Sequence, residues 1–174
     1  MKVNQYIIGI CGVSQSGKST LSKQLQHAFS TSSVEVLELD EFVNPEESIP
    51  KIADRINWED PASMNWTLVL DKIRKSKAQI IIIEGIFSFH ETLLPMLSLK
   101  ILVEVDEETF LKRRRNDKRW GEEPEWYLKH VWKSNQWLIN SVDPDYKLKG
   151  VGTHELSSII EAAKLAMKEK SVLS

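Results

Sequence analysis

The chain has 174 residues, a length that suits one domain, and we expect residues 1–174 to form a single folding unit. Its 23 Lys and Arg residues against 25 Asp and Glu residues leave a net charge of −2, which argues against nucleic acid as the main partner. The single Cys11 excludes an internal disulfide, and no apolar run approaches the ~18 residues that a membrane span requires. We therefore expect a cytoplasmic protein without a membrane partner.

Short apolar runs typical of buried strands alternate with stretches of helical periodicity. The predicted strands are, in chain order, Tyr6–Ile10, Val34–Leu39, Ile80–Ile83, Ile101–Val105 and the weaker Tyr146–Leu148. A first helix is predicted over Ser19–Phe29, and the last helix carries on one face Leu156, Ile159, Ile160, Ala163 and Met167. This alternation predicts an α/β fold in which helices cover both faces of a parallel sheet.

A glycine-rich segment follows the first strand directly and leads into the first helix. Residues 12–19 read Gly-Val-Ser-Gln-Ser-Gly-Lys-Ser and match the Gly-x-x-x-x-Gly-Lys-Ser/Thr pattern of a phosphate-binding loop, hereafter the P-loop. In such a loop, backbone N–H groups face phosphate oxygens, the lysine reaches the β- and γ-phosphates, and the hydroxyl binds Mg²⁺. We therefore expect ATP and Mg²⁺, with these nucleotide ligands: Gly12, Ser14, Ser16, Gly17, Lys18, Ser19 and Thr20.

Two acidic residues stand where the predicted strands end. Asp40 follows the second strand and Glu84 ends the third, and ligands of an open α/β sheet bind at the carboxyl ends of its strands. One carboxylate can accept a proton from an attacking hydroxyl while the other, with Ser19, orients Mg²⁺. The chain lacks the Asn-Lys-x-Asp and Asp-x-x-Gly motifs of GTPases, so the pattern favours a small P-loop kinase with Lys18, Asp40 and Glu84 in the chemistry.

A basic cluster follows the fourth predicted strand. Arg115, Lys118 and Arg119 share one face of a helix, and Arg114 lies four residues before Lys118. In a kinase, such a face closes as a helical lid over the triphosphate and neutralises its charge. We predict a lid over approximately residues 112–130, with Arg115 as a catalytic and substrate-binding residue and with Arg114 and Lys118 as nucleotide ligands. The alternative is a solvated basic surface or a weak nucleic-acid patch.

Together these segments resemble the uridine kinase-like branch of P-loop kinases, and within it the nicotinamide riboside kinases. The resemblance covers nearly the whole chain and rests on residues 40–46 (Asp-Glu-Phe-Val-Asn-Pro-Glu), 57–64 (Asn-Trp-Glu-Asp-Pro-Ala-Ser-Met), 83–87 (Ile-Glu-Gly-Ile-Phe), the basic run 112–120 and His-Val-Trp at 130–132. It implies a P-loop NTPase fold with five parallel strands in the order 2-3-1-4-5. It also implies that Asp40 contacts the substrate's 5′-hydroxyl, Glu59 the ribose hydroxyls and Glu84 the metal.

In the nicotinamide riboside kinases two aromatic rings clamp the nicotinamide, and Trp58 and Trp120 match those positions. The resemblance therefore implies ATP-dependent phosphorylation of a ribonucleoside 5′-hydroxyl, with nicotinamide riboside as the acceptor. We expect either a monomer or a homodimer, between which the sequence does not distinguish. Only residues 76–78 separate the preceding helix from Gln79, where uridine kinases carry a hairpin, which disfavours uridine. Two alternatives remain: a kinase for uridine, another nucleoside or a small alcohol, and a nucleotide-binding regulatory protein with little turnover.

Overall fold

The computed structural model describes residues 5–117, 119, 121–149 and 153–172. Its strands are β1 (Tyr6–Cys11), β2 (Val34–Glu38), β3 (Lys51–Ile52), β4 (Arg55–Ile56), β5 (Ile80–Glu84), β6 (Leu99–Val103) and β7 (Tyr146–Leu148). Its α-helices are α1 (Lys18–Ala28), α2 (Trp66–Lys75), α3 (Glu107–Arg115), α4 (Glu125–Asn140) and α5 (Thr153–Val172). No helix in these ranges is long and apolar enough to cross a membrane.

Five strands form one parallel sheet in the order β2-β5-β1-β6-β7. When the five predicted strands are numbered along the chain, this order is 2-3-1-4-5, as the family resemblance implied. The fourth predicted strand is displaced, because β6 begins at Leu99 and ends at Val103, two residues before the predicted end. The sequence analysis also missed β3 and β4, a hairpin of two residues per strand that is too short to show any periodicity.

Helices cover both faces of the sheet because β1, β5 and β6 are apolar on both sides. One face packs against α1 and α5 through these buried residues: Ile8, Ile10, Ile82, Ile101, Leu21, Leu25, Ile159 and Ala163. The other face packs against α2 through Ile7, Ile81, Ile83, Val69 and Ile73. This two-sided core leaves the carboxyl ends of the strands open at one edge, where the P-loop begins.

Helix α4 fixes the segment that follows the β3–β4 hairpin. The Tyr127 hydroxyl donates a hydrogen bond to the carbonyl oxygen of Ile56 at 2.9 Å, and His130 Nε2 hydrogen-bonds Asn57 Oδ1 at 2.7 Å. On its other side α4 contacts α3, where the rings of Phe110 and Trp132 lie 5.4 Å apart. The predicted lid therefore consists of the end of α3, a connecting segment and the start of α4, and α4 links it to residues 55–59.

Candidate active site

The P-loop has a backbone that only glycine adopts without strain at two of its positions. Gly12 has φ 151°, and a Cβ added there would lie 2.3 Å from the Val103 carbonyl oxygen and 2.7 Å from Ser16 Oγ. Gly17 has φ 107° and immediately precedes α1, whose first residue is Lys18. The mostly buried Lys18 donates a hydrogen bond from Nζ to the Val13 carbonyl at 3.0 Å, so its side chain curves over the loop.

The interior of the P-loop fits a phosphate group. Among the described residues, the buried Ser16 Oγ has no hydrogen-bond partner. A buried hydroxyl is normally paired, and a phosphate oxygen would supply its missing partner. A Cβ added at Gly17 would have no described atom within 4 Å, which leaves space beside the first turn of α1. The P-loop therefore fits the triphosphate of ATP.

Ser19 and Glu84 lie in contact although 65 residues separate them in the chain. The Ser19 hydroxyl donates a hydrogen bond to Glu84 Oε1 at 2.6 Å. Loss of solvation at the end of β5 raises the pKa of Glu84, and the Ser19 hydrogen bond and the charge of Lys18 oppose that shift. A hydroxyl and a carboxylate oxygen are ligands that Mg²⁺ prefers, so these two side chains fit the ion and would hold it beside the phosphates.

One cleft of about 480 Å³ brings most of the predicted site together. It is lined by the P-loop residues Ser14, Gly17, Lys18 and Ser19, by Thr20 of α1, and by Asp40, Trp58, Glu59, Glu84, Arg114 and Arg119. Gly12 and Ser16 belong to the loop but do not line this cleft. The predicted Lys118 and Trp120 lie outside the described residues.

The end of α3 and the segment that follows it contact the P-loop. Arg113 Nη1 donates a hydrogen bond to the Gln15 carbonyl and Arg114 Nη1 donates one to Ser14 Oγ, both at 2.9 Å. From the next segment, Asp117 Oδ2 accepts a hydrogen bond from Gln15 Nε2 at 2.5 Å. Three residues of the predicted lid thus contact two adjacent residues of the P-loop.

Arg115, which the sequence analysis placed in the site, does not line the cleft. Its guanidinium pairs with Glu125 at 2.7 Å, and both side chains are about half exposed. Consecutive helical residues point about 100° apart, so with Arg113 and Arg114 both in contact with the P-loop, Arg115 points away from it. Arg119, which the sequence analysis counted only in the basic face, lines the cleft and pairs with Asp117 at 2.6 Å.

Glu59 is desolvated within the cleft and is held by a residue that the sequence analysis missed. Burial raises the pKa of Glu59 to about 7, while a hydrogen bond from Asn135 and the charges of Arg114 and Lys18 oppose that shift and Asp40 adds to it. The donor is Asn135 Nδ2 on α4, 2.7 Å from Glu59 Oε2, and it also contacts the Val131 carbonyl. Asn135 lies 76 residues from Glu59 and matches no motif, so no signal in the sequence marked it.

A second cavity, of about 520 Å³, adjoins the P-loop at Val13 and Ser16. It extends between the start of α3 and α4 and also includes Arg113 and Lys149. In the sequence Lys149 is followed by residues 150–152, which are outside the described residues. The unpartnered Ser16 hydroxyl therefore stands at the wall of a space large enough for part of a nucleotide.

Residues 8–126 match the model of a family described as the AAA domain. The chain is 26% identical to uridine-cytidine kinase B of Dictyostelium discoideum, with 63% of this chain and 56% of that protein aligned. It is also 26% identical to the uridine kinase of Deinococcus deserti, over 74% of this chain and 79% of that protein. The chain spans 25% and 31% of two further relatives, the uridine-cytidine kinase-like 1 protein of Mus musculus and the uridine kinase of Schizosaccharomyces pombe.

Solved structures share the fold at low sequence identity. A possible uridine kinase from Bacillus stearothermophilus superposes with a TM-score of 0.59 at 16% identity, covering 83% of this chain and 89% of that one. Shikimate kinase from Acinetobacter baumannii, in complex with shikimate, gives a TM-score of 0.57 at 19% identity over 97% and 96% of the two chains. The predicted P-loop NTPase fold is thereby confirmed.

Proposed function

Since the chain belongs to the AAA-domain family and, among P-loop proteins, to the uridine kinase-like kinases, we propose that it transfers the γ-phosphoryl group of ATP to the 5′-hydroxyl of a ribonucleoside. One observation carries the proposal. A single cleft holds residues of the P-loop, the acid pair Asp40 and Glu84, and a third carboxylate, Glu59. Nucleotide binding alone needs the P-loop but not three carboxylates around the acceptor side of the phosphates.

Each group of the cleft has a role in the proposed transfer. Asp40 accepts the proton of the 5′-hydroxyl as its oxygen bonds to the γ-phosphorus, and the bond from that phosphorus to the oxygen bridging the β- and γ-phosphates breaks to release ADP. Lys18, Arg114 and Arg119 place positive charge around the transferred group. Mg²⁺, held by Ser19 and Glu84, would neutralise part of the phosphate charge.

Glu59 is proposed to bind the ribose hydroxyls. An ionised carboxylate accepts hydrogen bonds from two neighbouring hydroxyls, and Asn135 holds one of the Glu59 oxygens in place. With the ribose at Glu59, the 5′-hydroxyl extends toward Asp40 and the P-loop, which line the same cleft. The second cavity, with Arg113 and Lys149, is proposed for the base of ATP.

For the acceptor base we propose nicotinamide. Trp58 lines the cleft next to Glu59, and an indole face attracts a cationic pyridinium by cation–π interaction, worth roughly 1 to 2 kcal/mol when water is excluded. A neutral pyrimidine lacks that attraction. Uridine is the second candidate, because the relatives reported above are named as uridine or uridine-cytidine kinases.

The test is ADP formation from Mg²⁺ and ATP with a panel of nucleosides that includes nicotinamide riboside and uridine. We expect multiple turnovers and a 5′-monophosphate product, identified by mass spectrometry and phosphorus NMR. Nucleotide binding without turnover on any acceptor would instead favour a regulatory protein. For the base, Trp58→Leu should lower the preference for nicotinamide riboside over uridine, measured as the ratio of kcat/KM values, by roughly tenfold. An unchanged ratio would remove Trp58 from base recognition.

A further inference from the structure

Glu123 in the lid forms a two-point contact with Arg114 that takes no part in the proton transfer or phosphoryl transfer itself. Glu123 Oε2 accepts a hydrogen bond from Arg114 Nε at 2.6 Å, and Glu123 Oε1 accepts one from Arg114 Nη2 at 2.9 Å. Both side chains are only 8% exposed, so water does not compete for the pair. A bidentate contact between charged groups fixes the plane of the guanidinium as well as its position.

The remaining edge of the same guanidinium faces the P-loop. Arg114 Nη1 donates a hydrogen bond to Ser14 Oγ at 2.9 Å, and Arg114 lines the cleft beside Lys18. The guanidinium is a rigid planar fork, so two donors held by Glu123 determine the direction of the other edge. Glu123 therefore sets where Arg114 presents positive charge to the P-loop.

A second Arg–Glu pair in the same lid provides a contrast. Arg115 and Glu125 form a comparable contact, but both side chains are about half exposed, and exposed pairs contribute little to stability. The buried pair loses the solvation of two charges, and such pairs seldom give a net gain in stability over apolar packing. The benefit of the Glu123 contact therefore lies in orientation of Arg114.

We propose that Glu123 is a positioning residue for phosphoryl transfer, which holds Arg114 with one donor edge directed at the phosphates of the nucleotide. The inference rests on the proposed function, because the anion at the P-loop is taken to be ATP. A free arginine side chain at this position would sample several rotamers, and fixing one of them costs conformational entropy. Because Glu123 orients Arg114 before the nucleotide binds, neither nucleotide binding nor the transition state bears this entropic cost.

The test compares Glu123→Gln with Glu125→Gln, which makes the same change in the exposed pair. Binding of the nonhydrolysable analogue AMP-PNP with Mg²⁺ is measured by calorimetry, and kcat and the nucleoside KM by ADP release. Glu123→Gln should weaken AMP-PNP binding roughly five- to tenfold and lower kcat, with the nucleoside KM unchanged, because a charge-assisted contact is lost. Glu125→Gln should stay within about twofold of the wild type in every measurement.

A double-mutant cycle with Arg114→Gln tests whether Glu123 acts through Arg114. In the Arg114→Gln background, Glu123→Gln should have no further effect on AMP-PNP binding. An effect of equal size in both backgrounds would overturn the proposal, because Glu123 would then act independently of Arg114. Tighter AMP-PNP binding by Glu123→Gln would overturn it as well, since the contact would then hold Arg114 away from the nucleotide.

Glu123→Asp keeps the inference testable if Glu123→Gln does not fold. Asp retains the charge but shortens the side chain by one methylene. The affinity of Glu123→Asp for AMP-PNP should therefore lie between the affinities of the wild type and of Arg114→Gln. If a folded Glu123→Asp bound AMP-PNP as tightly as the wild type, the fixed geometry of the Glu123–Arg114 contact would not be required, which would overturn the proposal. The binding measurements need no acceptor, so a failure to find a nucleoside substrate would refute the proposed function and leave the Glu123 inference to be decided separately.

Discussion

The pH dependence of nucleoside phosphorylation should report the ionisation of Glu59. Burial raises the pKa of this carboxyl from 4.5 to about 7, and the charged groups around it are Arg114, Lys18 and Asp40. The ionised form accepts hydrogen bonds from both ribose hydroxyls, whereas the protonated form has a proton on one oxygen and accepts them less well. The nucleoside should therefore bind better as the pH rises through 7.

The expected size of the effect follows from that pKa. With a pKa of about 7, about one tenth of Glu59 is ionised at pH 6 and about nine tenths at pH 8. Because kcat/KM for the nucleoside reports the ionisation of the enzyme before the nucleoside binds, it should rise about tenfold between pH 6 and pH 8. Replacement of Asn135 by Leu removes a hydrogen bond that lowers the pKa, so the midpoint should move above pH 7.

The assay is a series of initial rates of ADP release from pH 5.5 to 8.5 with saturating ATP and Mg²⁺. Glu59→Gln should give a profile that is flat between pH 6 and 8, with a raised nucleoside KM at pH 8, because the ribose contact is made equally in the ground state and the transition state. A pH 7 inflection that persists in Glu59→Gln would assign the titration to another group. A flat wild-type profile would refute a titration of Glu59 near pH 7 that controls nucleoside binding.

The same pKa shift predicts a cost in stability. A carboxyl with a raised pKa in the folded state contributes stability that is present below pH 4.5 and is lost as the pH rises through about 7. At pH 8 the ionised Glu59 therefore lowers the free energy of unfolding, by at most about 3 kcal/mol. Glu59→Gln should melt at a higher temperature than the wild type at pH 8, and the difference should disappear near pH 4.5. An equal difference at both pH values would show that ionisation is not its cause.

Three further substitutions test the P-loop and the acid pair. Lys18→Ala should reduce turnover by about 100-fold or more and weaken ATP binding, because charge at the β- and γ-phosphates loses its cation; near-normal turnover would contradict the phosphate-binding assignment. Asp40→Asn should keep ATP binding by calorimetry but lose about 100-fold in kcat, and an unchanged kcat would remove Asp40 as the base. Gly12→Ala should lower the melting temperature more than Gly17→Ala, because its Cβ would lie 2.3 Å from the Val103 carbonyl while the Gly17 position is open. Equal effects would show that backbone strain alone, about 1 to 3 kcal/mol, governs both positions.

The local sequence determined the elements and the phosphate-binding loop. A P-loop is a contiguous motif whose glycines, lysine and hydroxyl act within eight residues, so its function can be recognised without tertiary structure. Apolar runs likewise identified the central strands β1, β5 and β6, because strands buried on both faces must be largely apolar, whereas the edge strands β2 and β7 contain charged residues and are only partly buried. The ends of such strands are less defined: the run over residues 101–105 continues two residues past the end of β6 at Val103.

Tertiary structure decided which side chains meet. The sequence gives Arg114 and Arg115 the same chemistry, but the docking of α3 turns Arg114 to Ser14 and leaves Arg115 at the surface. Asn135 contacts Glu59 from 76 residues away, because α4 packs beside the segment after the hairpin. Such contacts depend on helix packing between distant segments, which periodicity does not encode. The sequence alone therefore predicted the phosphate-binding loop, and only the packing of α3 and α4 determined which distant side chains contact Ser14 and Glu59.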